Sequence, residues 1–173
     1  GGGKFQEVTQ SMGAEFASPK VARGAAYADV DNDGVLDVLM TTNGGRAYLF
    51  HNEGATNRSL RIKLVGTKSN RDGIGAAITL NAGGEKQWKM VRSGSSYLSQ
   101  SELVATFGLG QKTKAESIEI QWPSGHVDKL ANVNAGQTVT VQESKGIVAS
   151  RVYGPVARKP VTTKVARVSS QKR

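Results

Sequence analysis

Apolar and polar residues alternate with a period of two along most of the chain between Phe5 and Val141. This alternation places the apolar side chains on one face of a β-strand, whereas an amphipathic helix needs apolar positions three and four residues apart. No stretch of ten residues shows the helical spacing convincingly. The pattern therefore predicts an all-β protein.

The first part of the chain carries the pattern of a small meander. Its predicted strands are residues 4–9, 25–28, 36–41 and 46–51. The last two are separated by Asn43, Gly44 and Gly45, residue types that favour a tight turn. The strands and the turn together resemble a partial β-propeller blade.

A second set of short strands follows, separated by turn-forming residues. The predicted strands are residues 60–64, 74–80, 88–90, 103–107, 118–122 and 138–141. Six or seven short strands at this spacing are typical of an antiparallel β-sandwich or a partly open barrel. Within them, Ile78 and Leu80 are predicted to share one face with Trp88 and Met90.

Charge is distributed unevenly along the 173 residues, which carry a formal net charge of +9. Residues 1–57 hold four basic and seven acidic residues, net −3, and residues 58–143 hold eleven and seven, net +4. Residues 144–173 hold eight basic and no acidic residues, net +8. The basic excess therefore belongs mainly to a predicted extended C-terminal tail.

The tail admits three interpretations. It is a solvated end, or it adds a strand to a neighbouring sheet, or it binds phosphate backbones or anionic cell-surface polymers. Nucleic acid is not the favoured partner. Composition adds two exclusions: the chain has no cysteine and therefore no thiolate site or disulfide, and it has no apolar run of about 18 residues that would predict a transmembrane segment.

The sharpest chemical feature is an acidic loop, residues 29–37. Carboxylates occupy loop positions one, three, five and nine, Gly34 occupies position six, and a free carbonyl occupies position seven; the candidate ligands are Asp29, Asp31, Asp33, Val35 and Asp37. This all-oxygen set suits Ca2+ better than Mg2+, which demands near-ideal octahedral geometry. Position twelve is Met40 rather than a bidentate Glu, so an EF-hand is disfavoured.

Three segments of the first part, residues 5–9, 24–38 and 48–54, resemble one FG-GAP (VCBS) repeat. This repeat is the blade unit of integrin α-subunit propellers and of many secreted bacterial proteins. The resemblance implies a structural Ca2+ held by Asp29, Asp31, Asp33, Asp37 and the carbonyl of Val35. A propeller needs at least four blades, so one blade would leave bare sheet edges unless the second domain, the tail or another subunit covers them.

The second part resembles the ASPIC/UnbV domain, which follows such repeats in secreted proteins similar to cartilage acidic protein. The matching segments are residues 64–66, 69–76, 93–101, 107–110 and 122–125. The family carries no established activity that could be transferred to this chain. The resemblance therefore implies a domain type and an extracellular setting, but no reaction.

These observations predict three segments and a binding role. Residues 1–57 form the calcium-binding repeat, 58–143 the ASPIC/UnbV-like domain and 144–173 the basic tail. We expect a trimmed or mature, secreted or cell-surface, non-catalytic Ca2+-binding module for adhesion or assembly, because no acid/base pair or nucleophile triad stands out. A protein partner or self-association is expected.

Two alternatives remain open. The first is a subunit of an extracellular polymer or filament, assembled through sheet edges and the tail. The second is a carbohydrate-binding accessory module that recognises a cell-surface glycan. In the second, Trp88, Trp122, Tyr97 and Phe107 would form a sugar-stacking platform, whereas the competing interpretation places the same four aromatic rings in the sandwich core.

Overall fold

The computed structural model describes residues 5–54 and 57–153 and the backbone of Val165–Arg167. Its N-terminal residues form two short helical turns, a 3-10 turn at Thr9–Met12 and an α-helix, α1, at Ala14–Ala17. The strand predicted at residues 4–9 is wrong for the part that is described, because residues 5–8 form no strand. Phe5 is fully exposed, so the apolar side chain at this position of the predicted strand is not buried against a sheet.

The meander is present and forms the first sheet. Strands β1 (Ala22–Ala28), β2 (Asp37–Thr42) and β3 (Tyr48–Phe50) pair antiparallel in chain order. The turn between β2 and β3 contains Gly44 at a φ of 68°, a conformation that favours glycine. A fourth strand, β12 (Val165–Arg167), joins from the predicted tail and pairs antiparallel with β3.

The remaining strands form two further sheets. The second sheet has the order β11-β10-β4-β7 and the third the order β6-β5-β8-β9. Their bounds are β4 Arg58–Val65, β5 Ala77–Ala82, β6 Glu85–Met90, β7 Ala105–Gly110, β8 Lys114–Gln121, β9 Val127–Asn134, β10 Gln137–Gln142 and β11 Gly146–Val152. All pairs are antiparallel except β4 with β10, which run parallel.

The predicted all-β class and the sandwich are confirmed, and the described strands close no barrel. One hydrophobic cluster draws side chains from both of these sheets, including Leu60, Ile62, Ile78, Leu80, Phe107, Ile118, Trp122 and Val139. Strand β9 is absent from the strands that the sequence predicts. Its apolar positions are sparse, because only Leu130 and Val133 reach the core.

The predicted orientation of Trp88 and Met90 is wrong. The register pairs Lys89 with Ile78 and Trp88 with Thr79, so Trp88 lies on the opposite face from Ile78 and is 54% exposed. Because side chains alternate with a period of two, a shift of one residue exchanges the two faces of a strand. Strand β6 lies at the edge of its sheet and points Gln87 and Lys89 inward instead.

Segments of the second part cover the outer edge of β1. The hydroxyl of Ser99 accepts a hydrogen bond from the Ala25 N–H at 3.0 Å, and that of Ser101 accepts one from the Tyr27 N–H at 3.2 Å. The Glu102 N–H in turn donates to the Tyr27 carbonyl at 3.0 Å. The hydroxyl-rich segment 93–101 thus satisfies a sheet edge, as a hydrogen-bonded loop does.

Candidate functional site

The acidic loop connects β1 to β2 and is closed by hydrogen bonds from its own backbone. Asp29 accepts the N–H of Asp33 on one carboxylate oxygen at 3.0 Å and that of Gly34 on the other at 2.9 Å. Asp33 accepts the Val35 N–H at 2.8 Å. Side chains of Asp favour such local bonds, which fold the loop inward and turn its remaining carboxylate oxygens toward one another.

Three of the predicted ligands converge. Asp29, Asp31 and Asp33 each offer a carboxylate oxygen, and these oxygens lie within 4.8 Å of one another. Burial raises the pKa of Asp33; the Val35 N–H opposes this, and the neighbouring charges of Asp31, Asp29 and Asp37 raise the pKa further. The loop therefore gathers negative charge that a cation would offset.

Asp37, the fourth predicted carboxylate, is buried beside this group of three. One of its oxygens accepts the Val30 N–H at 3.1 Å, and the other accepts the Asn52 N–H at 2.7 Å and lies 3.0 Å from Nδ1 of His51. The ligand roles of Asp37 and of the Val35 carbonyl stay predictions, as do those of the three converging carboxylates.

His51 is a neighbour of the loop that sequence reasoning missed. Its Nε2 lies 3.8 Å from a carboxylate oxygen of Asp31. Strand pairing could have indicated this neighbour. Val38 pairs with Phe50, and because the strands are antiparallel, the residue before Val38 lies opposite the residue after Phe50; these are Asp37 and His51.

The loop also rests against the sandwich. Gly34 has a φ of 89°, and a Cβ added there would lie 2.3 Å from the ring of Tyr153, which follows β11. The Gly34 carbonyl accepts the Ser59 hydroxyl of β4 at 2.8 Å. Burial raises the pKa of Tyr153, and its hydroxyl donates to the Gln137 carbonyl at 2.8 Å.

Arg61 joins the two parts electrostatically. The residue is buried, and its guanidinium forms ion pairs with Asp29 of the loop and Glu102 of the segment that covers β1. Its Nε donates to Thr106 Oγ1 at 3.3 Å. The alternation of β4 predicts Arg61 to face away from the core, and it does; on that face it contacts Asp29 of the acidic loop and Glu102.

The four aromatic residues considered for a sugar platform separate into two pairs. Phe107 and Trp122 belong to the core, and the Trp122 indole N–H donates to Asp128 at 2.8 Å. Trp88 and Tyr97 are exposed. A platform built from all four rings is therefore excluded.

Fold and loop define an all-β protein of two parts, a meander that carries an acidic loop and a sandwich that supports it. A family model described as ASPIC and UnbV matches residues 66–148, from the end of β4 into β11. The match supports the ASPIC/UnbV part of the resemblance. The FG-GAP part stays a prediction.

Three curated relatives share 33% identity with the chain, and each is named cartilage acidic protein 1. The human protein aligns over 125 residues, 69% of this chain and 18% of the relative. The Xenopus tropicalis and Mus musculus proteins align over 60% and 59% of this chain and 16% of their own length. The chain thus spans less than a fifth of the length of these relatives, whose names designate no enzyme.

In the described part of the chain, no helix has the length and apolar character needed to cross a bilayer.

Proposed function

We propose that this chain is a non-catalytic, extracellular β module whose acidic loop binds Ca2+ as a structural ion, in the service of adhesion or assembly. The observation that carries the proposal is the convergence of oxygens from Asp29, Asp31 and Asp33 within 4.8 Å. Hard cations such as Ca2+ take carboxylate and carbonyl oxygens as ligands. The names of the relatives favour a matrix setting for the module.

The hydrogen bonds of the loop leave room for a cation. The Asp29 carboxylate accepts three N–H donors, from Asp33, Gly34 and Arg61. A carboxylate offers about four lone-pair sites, so one site of Asp29 is left for a metal. Asp31 is exposed and Asp33 half-buried, so both can reorient toward an ion.

The ion would have a structural role because the acidic loop of the meander contacts the sandwich. Its residues contact Tyr153, Ser59 and Arg61. Ca2+ would neutralise the clustered carboxylates, hold the connection between β1 and β2 in one conformation and stabilise these contacts.

The proposal is tested by Ca2+ titration in a calorimeter and by thermal unfolding with Ca2+ and with EDTA. We expect Ca2+ uptake and a lower Tm in EDTA. Asp33→Asn keeps an oxygen for the Val35 N–H but removes one charge, and should weaken Ca2+ binding about tenfold or more.

Asp72→Asn is the matched control, because Asp72 pairs with Arg71 on the sandwich, outside the loop. It should bind Ca2+ as the wild type does. Absence of heat on titration together with a Tm that EDTA leaves unchanged would refute the calcium role.

The filament alternative is favoured by one further observation. Strand β11 pairs with β10 on one side and has no strand partner on its other side among the described residues. Its side chains are exposed from Ile147 to Val152 on both faces. Such an edge can pair with another chain, so we propose self-association through β11 as the second candidate function.

A further inference from the structure

The turn between β2 and β3 carries an Asn-Gly pair, Asn43 and Gly44, at the opposite end of β2 from the acidic loop. The Asn43 N–H donates to the Val21 carbonyl at 2.9 Å, and the Thr42 hydroxyl donates to the Arg46 carbonyl at 2.8 Å. These two bonds hold the base of the turn. The residues of its tip are all exposed to water.

The two groups that react with each other in an Asn-Gly pair are unrestrained here. They are the side-chain amide of the asparagine and the backbone N–H of the glycine. Among the described residues, neither the Asn43 side-chain amide nor the Gly44 N–H finds a hydrogen-bond partner. The space where a Cβ of Gly44 would lie is open, with no atom of a non-neighbouring described residue within 4 Å. Neither hydrogen bonding nor packing therefore prevents the two groups from meeting.

The other asparagines of the chain lack this combination. Asn43 is the one asparagine in the sequence that is followed by glycine, and glycine allows the closest approach of a backbone group because it has no side chain. Asn81 lies in β5, and its amide donates to the Ser117 hydroxyl at 2.8 Å. Asn70 is held twice, because its side chain donates to the Ile74 carbonyl at 2.7 Å and accepts the Ile74 N–H at 2.8 Å.

The reaction at such a pair needs water and no other reactant. The Gly44 nitrogen attacks Cγ of Asn43 and forms an N–C bond, while the Cγ–Nδ2 bond breaks and ammonia leaves with the proton that the Gly44 nitrogen lost to solvent. Water then opens the resulting succinimide ring at one of its two carbonyls. Opening at Cγ gives aspartate, and opening at the backbone carbonyl gives isoaspartate, in which the chain runs through the former side chain.

We propose that Asn43 is a site of spontaneous deamidation, which converts the tip of the β2–β3 hairpin into a mixture of aspartate and isoaspartate as the protein ages. The product adds one carboxylate to residues 1–57, which then hold four basic and eight acidic residues, net −4 instead of −3. Isoaspartate also adds one carbon atom to the backbone of a hairpin whose strand β3 is three residues long. The reaction involves neither Ca2+ nor self-association, so its failure and the failure of the proposed function are separate results.

The test follows each asparagine of the full chain by peptide mapping and mass spectrometry during incubation near neutral pH. We expect the peptide that carries Asn43 to gain the mass difference between an amide NH2 group and a hydroxyl group, and to separate on chromatography into an aspartate and an isoaspartate form. Fragmentation distinguishes Asn43 from Asn32, which lies in the same tryptic peptide. Asn43 should react about tenfold or more faster than Asn81, and its rate should rise with pH because the attacking nitrogen must lose a proton.

Variants assign the reaction to the Asn-Gly pair. Asn43→Gln should abolish the mass increase at this site, because attack on the longer side chain would form a larger ring. Asn134→Gln, at an exposed asparagine of β9, is the matched control and should leave the reaction at Asn43 unchanged. Gly44→Ala places a Cβ beside the attacking nitrogen and should slow the reaction about tenfold or more. Since Gly44 has a φ of 68°, circular dichroism checks that this variant is folded.

A synthetic peptide with the sequence of residues 39–47 measures the rate without the fold. The folded chain should react within about tenfold of the peptide, because the turn leaves both reacting groups unrestrained. A folded chain that reacts more slowly than this would show that the turn protects Asn43 and would overturn the proposal. Equal rates at Asn43 and Asn81, or a mass increase that persists at position 43 in the folded Asn43→Gln variant, would overturn it as well.

Discussion

Arg61 is a charged residue at the centre of the contact between the two parts. It satisfies Asp29 and Glu102 at once, and both carboxylates are largely withdrawn from water. Removing one partner of a buried ion pair costs more than the pair contributes, because the other charge stays buried without compensation. Loss of the Arg61 charge is therefore expected to destabilise the acidic loop as well as the sandwich.

We predict that Arg61→Met lowers the free energy of unfolding by about 3–5 kcal/mol. Lys63→Met provides the control, since Lys63 is an exposed residue of the same strand; such substitutions cost within about 0.5 kcal/mol. Urea denaturation of both variants measures the difference. Equal losses would show that Arg61 contributes no more than a surface residue.

Gly34 shows what the sequence can and cannot specify at a single position. Its place in the acidic loop predicts a sharp turn, and its φ of 89° confirms one. The ring of Tyr153 also occupies the space where a Cβ would lie. That second reason for glycine comes from a residue more than a hundred positions away, and no local pattern contains it.

At the scale of elements, Glu143 joins the end of β10 to the loop that follows β4. One of its oxygens accepts the N–H groups of Thr67, Lys68 and Ser69 at 2.7, 2.7 and 2.8 Å. The other accepts the Ser69 hydroxyl at 2.9 Å and the Ser124 hydroxyl. Burial alone would raise the pKa of Glu143, but these hydrogen bonds outweigh it and hold the pKa far below its ordinary value.

This depressed pKa predicts a pH-dependent stability. In the unfolded chain the carboxyl titrates near 4.5, and in the folded protein it titrates lower. The contribution of Glu143 is therefore complete above about pH 5 and is lost as the pH falls toward the folded pKa.

Glu143→Gln should cost about 1–3 kcal/mol at pH 7, because buried donors lose their charged acceptor. The difference in Tm between wild type and variant should shrink between pH 5 and pH 3. Glu119→Gln, at a more exposed carboxylate, should show a small difference throughout. A constant difference for Glu143→Gln across this range would contradict the hydrogen-bond account.

The positions of the strands were predictable where the apolar alternation is strong, but the register in which the strands pair was not. Leu60, Ile62 and Leu64 lie in the core as their spacing predicts. On the edge strand β6, the residues that face inward are Gln87 and Lys89, so the apolar pattern indicates the wrong face. Edge strands pack against fewer neighbours, and hydrophobic burial therefore constrains their orientation less.

At the scale of the whole molecule, other segments of the chain cover the edges of the meander. Residues 99–102 hydrogen bond along the outer edge of β1, and β12 pairs with β3. The strand-addition interpretation of the tail therefore applies to β11 and β12, which join two different sheets. Among the edge strands in the described part of the chain, which also include β6, β7, β9 and β12, β11 is the one that we propose for assembly because its side chains are exposed along nearly its whole length.

If β11 mediates self-association, added charge should abolish it. Val152 is 73% exposed and Val148 is also exposed, so a Val148→Lys, Val152→Lys variant should fold but show a smaller mass than wild type in light scattering. Val127→Lys, at an exposed valine of β9, should leave the mass unchanged. A wild-type chain that stays monomeric at all concentrations would refute assembly by this route.

The sequence by itself determined the all-β class, the meander, most sandwich strands and the acidic loop, because these depend on local alternation, turn residues and carboxylate spacing. Tertiary structure decided what those local features contact. It buried Arg61 against Asp29, placed Tyr153 over Gly34, brought His51 to Asp31 and left Trp88 on the exposed face of β6. Each of these contacts joins residues distant in sequence, so it depends on strand order and register, which a single sequence does not encode locally.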